Sequence, residues 1–296
     1  MSKKWLIIFL TLFLVNNSTK SQDNSNINNG SIAPLYFKKP NFLKSLSYIP
    51  GDMLYIAKSP FYKKDWMILA GITAGTYLIQ LKDQGIINWV KKSSLQAGLD
   101  PTTRYYNAVK FGDTKIIKVP KNLNTALYQL GEGGTSMMVA GGLWIYGKIK
   151  HDYRAIQTCY DLTETFATMG ITTQILKRIS GRESPFKSTA PGGKWTPLPS
   201  FKAYQTHTPT YDAFPSGHLA TMVATVTVLT KDYPEKKWIK PIGYSLIGLT
   251  GWAMMNTEVH WLSDYPLAIA VGYLSGKITT LRHHKTPIAI NKIENY

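Results

Sequence analysis

Three stretches of this chain, residues 66–81, 133–147 and 241–257, hold no Asp, Glu, Lys, Arg or His over 16, 15 and 17 positions. Runs of that length are too long for ordinary strands, and Gly and Pro punctuate them without strand-like alternation, so they predict helices. Each falls short of the ~20 apolar residues that a bilayer-crossing helix needs. The expectation is therefore an all-α fold in which these stretches are buried helices of a bundle rather than short membrane spans. With 44% hydrophobic residues among 296, the chain has ample material for a core. The single cysteine, Cys159, excludes an internal disulfide and a cysteine-built zinc site. A mean hydropathy of −0.14 argues against a chain mostly immersed in lipid.

The ends read differently from the middle. Lys3 and Lys4 precede a short apolar run to Val15 and a polar stretch, the pattern of a secretory signal peptide over residues 1–21. Residues 22–41 begin Asn- and Ser-rich and read as a flexible linker. The helical domain is expected over 42–285, with a tail at 286–296. The formal charge is +17, and removal of Lys3, Lys4 and Lys20 with the leader leaves +14. Such a surface favours phosphorylated substrates and an anionic membrane face. The lysines form no stripe and no recognition motif is present, so a nucleic-acid function is not expected.

Three separated pieces carry chemistry-bearing residues. Leu162, Phe166, Met169, Thr173 and Leu176 recur at helical spacing, which predicts a helix over 152–179 that stops at Gly181. Lys177 lies in its last turn, flanked by Arg178 and Arg182, which taken alone is an ordinary solvated helix end. The second piece is Phe214-Pro215-Ser216-Gly217-His218. Ser216 is a natural N-cap there, so the free N–H groups of a helix start beside an imidazole and form an anion site. In the third piece His260 and Asp264 stand four apart, a spacing that lets the carboxylate fix the ring's tautomer while the other nitrogen attacks phosphorus. A structural His/Asp pair or a metal-ligand pair has the same spacing. No His-Glu-x-x-His motif accompanies it, and no metal is expected. The glycines at 131, 133 and 134 lack the Lys-Ser/Thr of a phosphate loop and read as a helix boundary.

Helix geometry joins the pieces. A helix from Ser216 to about Asp232 advances roughly 24 Å, Tyr233-Pro234 breaks it, and a second from about Lys236 to Thr257 returns, so His260 arrives beside His218. Lys177 and Arg182 are expected at the same end of the bundle. Two imidazoles, a carboxylate, a helix N-terminus and cations in one cleft suit a phosphoryl group under in-line attack.

These residues resemble the type 2 phosphatidic acid phosphatase and vanadium haloperoxidase superfamily, whose signatures are Lys-x6-Arg-Pro, Pro-Ser-Gly-His and Ser-Arg-x5-His-x3-Asp. The chain presents Lys177 with Pro185, an intact Pro215-Ser216-Gly217-His218, and His260 with Asp264, in that order. The resemblance implies a helical bundle with its site at one end. It implies His260 as the nucleophile forming a phosphohistidine, Asp264 as its orienting partner and His218 as the general acid. Lys177, Ser216 and Gly217 would contact the phosphate without a metal or other cofactor. Ser184 and Met254 stand where the first and third signatures have arginine. Arg178 or Arg182 is near enough in sequence to replace the first, so Arg182 joins the expected phosphate-binding set; nothing nearby replaces the second.

The implied activity is hydrolysis of a phosphate monoester or diphosphate, on a soluble molecule or a lipid, by an exported periplasmic or membrane-associated phosphatase. A relative weakened by its missing arginines, which holds phosphate or lipid headgroups without turnover, is the alternative reading, and a vanadium haloperoxidase a further one. The Gly- and Pro-rich connection over 183–213, with Phe186, Trp195, Phe201 and Tyr204, is expected to be a lid or acyl-chain contact, or else a surface loop with aromatic anchors.

Overall fold

A computed structural model describes residues 37–62, 66–111 and 114–283. The leader expected over 1–21, most of the linker, His284 and the tail lie outside the described residues. Two short helices, α1 (Phe42–Ser47) and α2 (Ile49–Lys58), precede α3 (Trp66–Gln80) and α4 (Asp83–Gln96). An antiparallel hairpin follows, β1 (Tyr105–Phe111) and β2 (Thr114–Pro120), with Tyr105 opposite Pro120. Then come α5 (Leu123–Leu130), α6 (Gly133–Lys150) and α7 (Tyr153–Ser180). After a long connection containing the short α8 (Phe201–Thr206) come α9 (Gly217–Asp232), α10 (Ile239–Asn256) and α11 (Tyr265–His283). Among the described residues the all-α expectation holds apart from the hairpin.

Sequence rules locate the helix ends that matter. The Asp152 carboxylate caps α7 by accepting from the Arg154 and Ala155 N–H groups at 2.9 and 3.1 Å. Gly181 closes α7 in the left-handed region at φ 56°, and a Cβ there would run into the Thr196 carbonyl. The Gly131 cluster is the expected boundary: Gly131 follows α5 and Glu132 precedes α6.

The helix α9 is the axis of the bundle. It packs against α6, α7, α10 and α11, and every residue from Leu219 to Leu229 is buried. Its neighbour α11 comes close because Gly272 has no side chain; a Cβ there would meet the Ala220 carbonyl. One apolar cluster joins Leu219, Met254, Trp261 and Tyr265 around the start of α9, and a second joins Leu143, Leu162, Val228 and Ile239 toward its end. The expectation that 66–81 is a buried helix is corrected. α3 packs against α11 and the 262–264 turn yet buries none of its own residues, leaving Trp66, Ile68 and Leu78 more than half exposed. Among the described residues, no helix is long and apolar enough to cross a membrane.

A buried ionic cluster ties α2 to α7 and α11. Arg282 is bonded to Asp52, and its Nη1 donates to Glu164 at 2.6 Å. Burial, reinforced by Asp52 and opposed by Arg282, pushes the Glu164 carboxyl up to about 8. A carboxyl raised in the fold holds its proton where the unfolded chain has released it, so this group's contribution is lost as pH rises from about 4.5 to about 8. Glu164→Gln cannot ionise. Its melting temperature is expected to gain on the parent's between pH 5 and 8, by the equivalent of about 2 kcal/mol, in paired thermal melts.

Candidate active site

Lys177, the last-turn cation of α7, lies 6% exposed with its Nζ 3.4 Å from an Asp212 carboxylate oxygen. The ammonium also overhangs the start of α9, where a Cβ on Gly217 would lie 3.8 Å from Nζ. A cation beside the positive end of a helix dipole is unfavourable by itself and becomes favourable when an anion joins the two. Ser216 caps α9 as expected: its Oγ accepts from the Leu219 N–H at 3.3 Å. That hydroxyl also faces the Met254 sulfur at 3.6 Å.

The two imidazoles meet. The rings of His218 and His260 lie 5.8 Å apart, centroid to centroid, at 66°. His260 is buried, and its Nδ1 lies 2.8 Å from the Ala213 carbonyl and 3.5 Å from Asp264 Oδ2. A carbonyl can only accept, so Nδ1 carries the proton and donates, leaving the Nε2 lone pair free to attack. The tautomer is thus held chiefly by a backbone carbonyl, with the carboxylate of Asp264 behind it. Burial pushes both imidazoles down to about 3, with Lys177 adding to the effect at each ring and His260 also acting on His218. Both rings are therefore neutral near pH 7. Burial raises Asp264 to about 6 against the pull of Arg182, which leaves it ionised at neutral pH.

Arg182 does not join the phosphate cations, because carboxylates and a carbonyl engage its donors. Nη1 donates to Asp264 at 2.5 Å and to Ser263 Oγ at 2.7 Å, Nη2 donates to Asp83 at 2.7 Å, and Gly192 O accepts from Nε and Nη2. The guanidinium is fully buried, with its carbon 4.8 Å from the Trp195 ring and 5.4 Å from the Trp261 ring. Arg178 also points elsewhere, donating to Gln174 and stacking on Tyr204 at 4.3 Å. Ser184 and Met254 are buried at 2% and 0% exposure, so neither position is an open slot awaiting a longer cation.

The 183–213 connection is stitched down. Glu183 N–H donates to Lys194 O, Ser184 N–H to Pro209 O, Thr196 N–H to Gly181 O and Ala213 N–H to Arg182 O. Tyr204 is buried, and Trp195 packs on Phe214 at 5.1 Å, while Phe186 and Phe201 remain exposed. Three members of the site carried no sequence signal. Asp212 belongs to no motif, the Ala213 carbonyl is a backbone atom, and Tyr128, whose ring lies 4.7 Å from His218, comes from α5, ninety positions away.

Residues 160–287 match the family model described as the PAP2 superfamily. The PAP2 region contains Lys177, Ser216, Gly217, His218, His260 and Asp264, whereas Asp83 and Tyr128 lie before it. A curated relative, the lipid A 1-phosphatase of Porphyromonas gingivalis, is 34% identical over 68 residues. That match covers 23% of this chain and only 15% of the relative's length. Among solved structures, a transmembrane PAP2-type phosphatidylglycerolphosphate phosphatase from Bacillus subtilis aligns with a TM-score of 0.39 and 13% identity. The alignment covers 72% of this chain and 94% of that one.

Proposed function

We propose that this protein is a phosphatase that hydrolyses a lipid phosphate through a phosphohistidine. The observation that carries the reading is the pair of imidazoles 5.8 Å apart, His260 buried and His218 half-buried, beside an ammonium that overhangs a helix N-terminus. The phosphoryl oxygens sit among Lys177 Nζ, the Gly217 and His218 N–H groups and Ser216. Their negative charge draws a proton onto His218, which is neutral in the empty site. His260 Nε2 attacks phosphorus as the bond to the leaving oxygen breaks, and His218 gives its proton to that oxygen. Water then attacks the phosphohistidine, His218 takes the water's proton, and the P–N bond breaks to release inorganic phosphate. Asp264 stabilises the charge on His260 throughout.

A lipid substrate and a membrane surface as partner suit the outer faces of the molecule. α3 presents apolar side chains without a single charge, and Ile171, Ile175 and Ile179 line the exposed side of α7 that ends beside Lys177. We further propose that residues 1–21 export the chain and that the helical domain acts outside the cytoplasm. The lipid A 1-phosphatase likeness favours a phosphorylated lipid over a soluble ester.

The test is phosphate release from soluble esters, isoprenyl diphosphates and glycerolipid phosphates, with and without vanadate. Turnover of at least one lipid phosphate, inhibited by vanadate, is expected. A second reading rests on the buried Met254 and on Asp212 facing Lys177: a protein that holds anionic headgroups without cleaving them. Vanadate-dependent thermal stabilisation with no release from any substrate would select it.

A further inference from the structure

Asp83 lies far from the phosphate site in sequence and outside the PAP2 region, yet its carboxylate is fully buried against the residues behind His260. It opens α4, where the helix dipole favours an anion. One oxygen accepts from the Ser263 N–H at 3.1 Å; the other accepts from the Ser263 hydroxyl and from Arg182 Nη2 at 2.7 Å. Arg182 and Ser263 are joined to each other at 2.7 Å, and Arg182 Nη1 reaches Asp264 at 2.5 Å. Asp264 in turn accepts from the Trp261 N–H at 2.7 Å and stands behind the His260 ring. Asp83 therefore grips the residue that carries the 262–264 turn and the cation that fixes the carboxylate in it.

We propose that Asp83 is a positioning residue for the reaction proposed above, acting through Arg182 and Ser263 to set the place and charge of Asp264 behind His260. Two buried carboxylates share one guanidinium here. When Asp83 takes Nη2, Arg182 neutralises only part of Asp264, which keeps the negative charge that supports a phosphorylated imidazole. When Asp83 is lost, the whole guanidinium leans on Asp264 and the turn loses its clamp. The bonds of Asp83 run to Arg182 and Ser263 rather than to Lys177 or Gly217, so substrate binding and chemistry should separate. This inference rests on the phosphohistidine reading for its kinetic part only.

The experiment compares the full-length protein with Asp83→Asn, Asp83→Glu, Ser263→Ala and the double variant Asp83→Asn with Arg182→Gln. The double variant removes the Asp83 and Arg182 charges together and leaves Asp264 held by the Trp261 N–H. In Asp83→Asn and in the double variant, kcat is expected to fall about a hundredfold with KM within about twofold, the size expected when a supporting group lets the reacting atoms shift. Asp83→Glu restores part of kcat, and Ser263→Ala gives a smaller fall in the same direction. A second readout needs no turnover: nitrogen-15 histidine spectra of the resting protein, with His260 assigned by its absence in His260→Gln. The hydrogen-bonded Nδ1–H of His260 is expected to shift in every variant except the glutamate one.

A folded double variant with parental kcat and an unmoved His260 resonance would overturn the proposal and leave Asp83 as a charge partner for Arg182. If Asp83→Asn does not fold, Ser263→Ala and the double variant decide by the same criteria. If the parent protein cleaves no substrate, the phosphatase reading fails, and the resonance alone supports or overturns the positioning role.

Discussion

His260→Ala is expected to lower phosphate release by about four orders of magnitude or more, the size seen when a covalent nucleophile is removed. The same substitution should abolish the acid-labile phosphoenzyme trapped by rapid quenching of the parent. The reason is specific to the site. With Nδ1 donating to Ala213 O, Nε2 is the one basic nitrogen of His260, in a ring whose centroid lies 5.8 Å from that of His218. Neither neighbour competes in the proposed mechanism: Lys177 is paired with Asp212, and His218 takes up a proton when the phosphate binds. His218→Ala should behave differently. In the proposed mechanism it removes the proton donor and leaves the nucleophile, so phosphoenzyme formation should survive with an acidic leaving group such as nitrophenol and fail with an alkanol. Full turnover in His260→Ala would sink the phosphohistidine mechanism, and loss of both reactions in equal measure for every leaving group would sink the division of roles.

Arg182→Met is expected to give the largest loss of stability among the single substitutions considered, about 3–5 kcal/mol, because it strands two buried carboxylates without their cation. For a domain of this size that corresponds to a fall in Tm on the order of 10 °C. Asp83 and Asp264 are both fully buried, and burial already raises both against the pull of Arg182. Without that pull their folded-state pKa values rise further. A raised carboxyl contributes stability that is present at low pH and lost as pH climbs through the window between the unfolded and folded values. The deficit of Arg182→Met should therefore be largest at pH 7–8 and shrink toward pH 5, where the carboxyls take up protons. A deficit independent of pH in that range would show that lost packing between Trp195 and Trp261 dominates instead.

The ionic cluster at the other end of α11 shows how unevenly a sequence advertises its contacts. Nothing in the spacing of His283 suggests a partner, yet its Nδ1 lies 2.6 Å from Asp161, more than a hundred positions away. Lys177, by contrast, was placed by local rules, since the stripe along α7 sets the helix phase and Gly181 its end. The missing arginines belong with the first kind. Their absence is plain in the sequence, but that Met254 fills its position as a buried neighbour of Ser216, and that Arg182 faces backward into two carboxylates, are facts of packing. Likewise, the charge-free run at 66–81 gave the helix but not its burial, because an apolar helix fits a core and an exposed apolar face equally well.

From its residues alone this chain determined where α7, α9 and α10 run, how Ser216 and Gly181 cap them, and that His218 and His260 return to one end of the bundle. Those features depend on hydrogen bonds and steric limits within a few positions, and on the rise per residue of a helix. Tertiary structure alone decided that a backbone carbonyl, Ala213 O, holds the His260 tautomer, that Asp212 faces Lys177, and that Asp83 reaches across 99 positions to share Arg182 with Asp264. Buried charges must find opposite charges wherever the fold brings them, and no local periodicity encodes that choice.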